Sequence, residues 1–111
     1  MPRRAREFAT LAATVPAGIV QIRGQRRRFH LRRPIDLKIH PEAGRWVIEY
    51  EPLNLAVYEA DEEAAYSAFA EEFEAVWEHI VDSPDRSLTR DAREWKAAFR
   101  NLVEDVEATA A

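Results

Sequence analysis

Three kinds of side chain in this sequence could do chemistry: histidines, carboxylates and a dense group of arginines. His30, His40 and His79 stand in neither an HExxH motif nor an i, i+4 pair, so no metal-ligating motif is formed. On an unbroken strand, at roughly 3.3 Å per residue, His30 and His40 would lie about 30 Å apart, too far for one ion to bridge. His79 falls near the end of a helical segment, where the dipole favours its protonated form. Carboxylates crowd the second half, notably Glu71, Glu72, Glu74 and Glu78. They interleave with an apolar stripe and read as a solvated helix face, with no general acid–base pair singled out. The arginines run Arg23-Gly24-Gln25-Arg26-Arg27-Arg28, then Arg32-Arg33. Two readings stand: a hairpin turn with solvated charges, or a contact patch for phosphates or an acidic protein surface. On the second, Arg26, Arg27, Arg28, Arg32 and Arg33 are the candidate nucleic-acid contacts.

Other routes to catalysis are closed. Ser67, Ser83 and Ser87 lack a nucleophile elbow, and the three glycines stand too far apart to cradle a phosphate. There is no cysteine, which excludes disulfides, thiol nucleophiles and cysteine-ligated zinc. The expectation is a protein that is not an enzyme and has no cofactor and no metal site.

The elements that position these residues follow from periodicity. Phe29, Leu31, Ile35, Leu37 and Ile39 alternate with polar residues, the mark of a strand with one buried face. Arg33 breaks the parity and Pro34 offers no N–H, so an edge position or a bulge is expected there. Ile19–Arg23, Arg45–Glu51 and Leu55–Tyr58 read as further strands, joined by short turns and therefore antiparallel. At Ala60 the pattern changes. Asp61 is an N-cap, and Tyr66, Phe69, Phe73, Val76, Trp77 and Ile80 form the stripe of a helix ending near Val81. Thr89 caps a second helix whose stripe is Ala92, Trp95, Phe99, Leu102, Val103 and Val106. Trp46, Trp77 and Trp95 all lie on apolar parity and read as core, not as a base-stacking platform.

Length and charge bound the rest. At 111 residues the chain suits one domain, and 47% hydrophobic with 32% charged residues fits neither a disordered tail nor a membrane protein. The basic start, Met1–Glu7, is followed by a short Phe8–Val15 broken by threonines, without a signal-peptide core, so a cytoplasmic location is expected. The net charge of −4 hides a polarity: residues 1–48 carry 11 Lys/Arg against three acids, and residues 49–111 carry 5 against 17. Such asymmetry suggests charged partners, or an oligomer in which one half meets the other.

The stretch from Trp46 to Ala64, WVIEYEPLNLAVYEADEEA, resembles the HicB-like antitoxin family. That family runs from an aromatic-led strand through Pro and Leu to a short strand. A glycine, a capping threonine and a Glu-Ala pair then open a helix. Pro52, Leu53, Glu63 and Ala64 fit, while Glu59 stands in place of the glycine and Asp61 in place of the threonine. The resemblance spans roughly residues 29–80. It implies a sheet of about three strands on a helix, and a protein that binds a small ribonuclease toxin and occludes its active site. Many such antitoxins bind DNA through a C-terminal segment. Here Ser87–Ala111 reads as one long helix, without a second recognition helix.

The expected architecture is a single α+β domain over 1–111. An antiparallel sheet of three to four strands from the first half is packed by two amphipathic helices from the second. Residues 1–16 are expected to form a flexible arm and 87–111 a C-terminal helix. The expected function is that of a HicB-like antitoxin or stand-alone relative meeting a small basic toxin through Glu49, Glu51 and Glu59. The alternatives are a nucleic-acid module built on the basic half and a homo-oligomeric structural protein. Trp95 and Phe99 are expected at the contact of a homodimer.

Overall fold

The computed structural model describes residues 18–109. The arm expected over residues 1–16 and the last two alanines lie outside the described residues. The chain runs β1 (Ile19–Arg23), β2 (Arg27–Ile35), β3 (Lys38–Glu42), β4 (Arg45–Tyr50), β5 (Leu55–Glu59), α1 (Glu62–Val76), α2 (Arg90–Leu102) and β6 (Val103–Ala108). Asp61 caps α1, its carboxylate accepting from the Ala64 N–H at 2.8 Å, and Thr89 caps α2 through the Ala92 N–H at 3.1 Å. One wider π-helical turn, Trp77–Val81, extends α1 to the end expected for it.

The fold is α+β, but its strands do not form one sheet. Among the described residues they make two antiparallel sheets of three, ordered β1-β2-β6 and β3-β4-β5. The alternation from Phe29 to Ile39 is real: all five odd apolar positions are buried and Arg33 is exposed. The single strand it suggested is nonetheless two. Near Pro34 the β1–β2 register jumps from Gln21↔His30 to Ile19↔Ile35, and the β2–β6 ladder stops at Leu31. With no ladder left to follow, the chain leaves the first sheet at Asp36-Leu37 and enters the second. Ala43 (φ 52) and Gly44 (φ 79) then make the two-residue turn that reverses β3 into β4.

The C-terminal helix expected over 87–111 is also corrected. Helix α2 ends at Leu102, and Val103–Ala108 is a strand lying along β2. Val103 pairs with Leu31 and Val106 with Phe29, with one extra residue of β6 between them. That bulge puts residues three apart on the same face, so a spacing that suits a helix suits this strand too. Both residues are β-branched, which favours the strand.

One core unites the sheets. Phe29 of β2, Phe73 of α1 and Phe99 of α2 are all fully enclosed. Their rings meet edge to face or tilted, with Phe29–Phe73 at 5.0 Å and Phe73–Phe99 at 4.9 Å. Trp77 joins them at 5.2 Å from Phe29. Such pairs add about 0.5–1.5 kcal/mol beyond the area they bury. Ile39, Ile48 and Leu55 of the second sheet belong to the same buried cluster, so α1 packs on both sheets.

The sheet β1-β2-β6 is tied to α1 by a buried carboxylate. Glu74, only 4% exposed, reaches into the β1–β2 turn and accepts three backbone N–H groups. They come from Gln25 (2.9 Å), Arg26 (2.9 Å) and Arg27 (2.8 Å). The turn closes behind it with Gly24 N–H donating to the Arg27 carbonyl at 2.8 Å. A Cβ on Gly24 would stand 2.5–2.7 Å from the Glu74 carboxylate, which is why the residue there is glycine.

Removing the carboxylate strands three N–H donors. At about 1–3 kcal/mol for each unsatisfied buried group, with relaxation and water recovering part, Glu74→Ala is expected to lose about 2–4 kcal/mol in urea unfolding. Gly24→Ala is expected to lose about 1–3 kcal/mol by overpacking. The exposed control Glu72→Ala should stay within about 0.5 kcal/mol of the parent. Equal effects at Glu74 and Glu72 would contradict the assignment.

Candidate functional site

The arginines proposed for phosphate contact are mostly engaged within the chain. Arg26 makes a two-pronged pair with Glu78, its Nε 3.0 Å and its Nη2 2.7 Å from Oε2. Arg27 meets Asp82 at 2.8 Å, and Arg28 meets Glu107 at 2.9 Å. Arg32 donates to the carbonyls of Asn101 and Val103, both at 3.1 Å. Of the five, Arg33 alone has no partner among the described residues, and it stands exposed on β2. The basic first half thus meets the acidic second half inside one chain. Each engaged guanidinium would have to leave its partner before meeting a phosphate.

The acids proposed for partner contact do not share one edge. Glu49 sits on the central strand β4, where its carboxylate lies 2.9 Å from His40 Nε2. Glu51 opens a short 3-10 turn, Glu51–Leu53, that ends at Asn54 in the left-handed region (φ 55). Glu59 closes β5 at the opposite end of the sheet, paired with Trp46. Its turn needs no glycine: among the described residues, positive φ outside glycine is confined to Ala43 and Asn54. The sequence predicts only a solvated helix face around Glu59. Glu71 and Glu72 of α1 share a groove with it, beside Tyr58, which is 48% exposed. Glu59, Glu71 and Glu72 form no ion pair with any described residue.

The expected dimer contact is corrected at Phe99. Its ring is fully enclosed by its own chain, between Phe73, Trp77 and Trp95, and has no surface to offer. Trp95 is half-buried, and its indole N–H donates to the Leu53 carbonyl at 2.6 Å. That bond fixes α2 against the turn between β4 and β5.

Strand β6, read from the sequence as helix, creates a cluster that the sequence alone conceals. His30 pairs with Asp105 across the β2–β6 ladder, and Glu107 lies beside them. Their ligand atoms fall within 4.8 Å of one another, a spacing a divalent ion could bridge. The hydrogen bond from His30 and the charge of Arg28 outweigh partial burial and hold the Glu107 carboxyl below the usual carboxylate range. Arg28 already supplies that carboxylate with a cation, and the group reads as an ion-pair network on the sheet surface. Lys96 bonds the Ser83 carbonyl (2.6 Å) and Asp85 (2.8 Å), fastening the α1–α2 connection to α2.

Comparison with protein-family models, with curated proteins and with solved structures finds no match.

The His40–Glu49 pair carries a pH signature. Its hydrogen bond raises the His40 pKa above the ordinary 6.5, against a smaller opposing effect of burial. A raised pKa means stability fully present below the unfolded value and lost as pH rises through the folded one. Imidazole NMR should find His40 titrating above 6.5 in the parent, and lower in Glu49→Gln. An unchanged midpoint in that variant would contradict the pairing.

Proposed function

We propose that this chain is a protein-binding module, a HicB-like antitoxin or stand-alone relative that neutralises a small, basic, RNA-cleaving toxin in the cytoplasm. One observation carries the reading: Arg26, Arg27 and Arg28 are held in internal ion pairs, while Glu59, Glu71 and Glu72 along β5 and α1 have no cationic partner among the described residues, Glu71 accepting only the Gln25 side-chain amide at 3.3 Å. The surface left for a partner on that flank is therefore acidic. Charge of this kind speeds encounter with a basic protein and disfavours wrong partners more than it sets affinity. The residues that resemble the family also fall on a matching series of elements. They run from strand β4 through the Glu51–Leu53 turn and strand β5 to the capped helix α1. This supports the reading.

The test is co-expression with any small basic protein encoded beside this one. A single peak in size-exclusion chromatography is expected at low salt, with association slowed as salt rises. Expression of this chain should also relieve the growth arrest that the partner causes alone. No complex and no relief would remove the antitoxin reading. Retardation of duplex DNA or RNA at low salt, abolished by Arg33→Ala, would favour the nucleic-acid alternative instead.

A further inference from the structure

We infer that the outer edge of β5 is a docking edge, to which an extended basic segment of a partner protein adds as a further strand of the sheet β3-β4-β5. The inference rests on the protein-binding reading above and adds the mode of contact. Among the described residues, strand β5 is the last of its sheet, and its one strand partner is β4. Among the described residues, no backbone hydrogen bond leaves Leu55–Glu59 on the other side. An unpaired edge of this kind offers a row of N–H and C=O groups to any strand of suitable sequence.

An open groove lies beside it, between β5 and α1. It is open to solvent, holds about 470 Å³ and touches Ala56, Val57, Tyr58 and Glu59 in succession. Successive strand residues point to opposite faces, so a hollow that meets all four lies at the strand's edge and not on either face. Its far wall is a single stripe of α1, Ala68, Glu71, Glu72 and Ala75, at helical spacing. The small residues Ala56, Ala68 and Ala75 leave the space open. The other edge of this sheet, β3, carries Lys38 and Pro41, which discourage pairing.

Charge selects the occupant. Glu59, Glu71 and Glu72 line the groove without a cation among the described residues, Glu71 accepting only from the Gln25 side-chain amide, so an incoming strand with Lys or Arg at alternate positions is matched. A second copy pairing β5 to β5 is not, because its own Glu59, Glu71 and Glu72 would meet the same three acids. Tyr58, one of two large apolar side chains left exposed among the described residues, supplies an apolar contact for the residues between.

The probe is the capped peptide Lys-Val-Lys-Val-Lys-Val, compared with its glutamate counterpart. In ¹⁵N–¹H spectra the basic peptide should shift the amides of Leu55–Glu59 and the facing turns of α1, and slow β5 amide exchange. The acidic peptide should bind at least tenfold more weakly. The triple variant Glu59→Lys, Glu71→Lys, Glu72→Lys changes exposed or half-buried side chains and should keep the parent circular dichroism, yet weaken the basic peptide at least tenfold. Perturbations elsewhere, equal binding of both peptides, or an undiminished triple variant would overturn the inference. So would β5 protection that rises with protein concentration alone, which would mark self-pairing. The same triple variant separates the two proposals. A cognate partner that binds parent and variant equally leaves the antitoxin reading intact and removes the docking edge. Peptide binding at β5 without any cognate complex does the reverse.

Discussion

A single buried carboxylate determines how helix α1 meets the β1–β2 turn. Glu74 is surrounded by the N–H groups of Gln25, Arg26 and Arg27, so the β1–β2 turn closes on it much as a backbone nest closes on an anion. The residues flanking that contact then fall into place. Arg26 reaches Glu78 one helical turn further on, Arg27 reaches Asp82, and Phe29 meets Phe73 and Trp77 beneath them. The absence of a Cβ at Gly24 is what allows the approach. Thr109 closes the same turn from its other side, its N–H donating to the Arg26 carbonyl at 2.9 Å and its hydroxyl to the Gln25 carbonyl at 3.1 Å.

Around this contact part of the charge polarity is neutralised within the chain. A basic first half and an acidic second half are complementary parts of one fold, joined through β2, α1 and β6 by arginine–carboxylate pairs. Exposed pairs of this kind add little stability individually, so their value lies in register and orientation. Their second effect is subtraction. With Arg26, Arg27 and Arg28 so occupied, Glu59, Glu71 and Glu72 beside β5 have no cationic partner among the described residues. The functional proposal follows from that remainder and not from the net charge.

Much of this was legible in the sequence, and the losses have physical causes. The period of two over Phe29–Ile39 identified every buried residue of that run, because alternation persists through the step from one sheet to the other. It could not show the step itself, which depends on where the β6 ladder ends. The caps Asp61 and Thr89 were visible because capping is local. Strand β6 was not, because a bulge gives Val103 and Val106 a helical spacing. Without β6, neither the His30–Glu107 contact nor the Arg28 pair could be anticipated. Glu74 was hidden among four glutamates that resemble a solvated face. The available signal was its place directly between Phe73 and the Val76-Trp77 stripe, together with an isolated glycine in an arginine-rich turn.

The central claim is that Glu74 is ionised and held by the turn. Burial by itself would raise its pKa, but the three backbone donors and the nearby Arg26 outweigh this and hold it below the usual glutamate value. A depressed folded-state pKa contributes stability above the unfolded value, near 4.3, and that stability is lost as pH falls through the folded one. The direct measurement is a ¹³C carboxyl titration of Glu74 with amide shifts followed in parallel. The account predicts a midpoint below 4.3, shared by the Gln25, Arg26 and Arg27 amides and accompanied by loss of stability. A midpoint at or above 4.3, with those amides indifferent to it, would contradict the account.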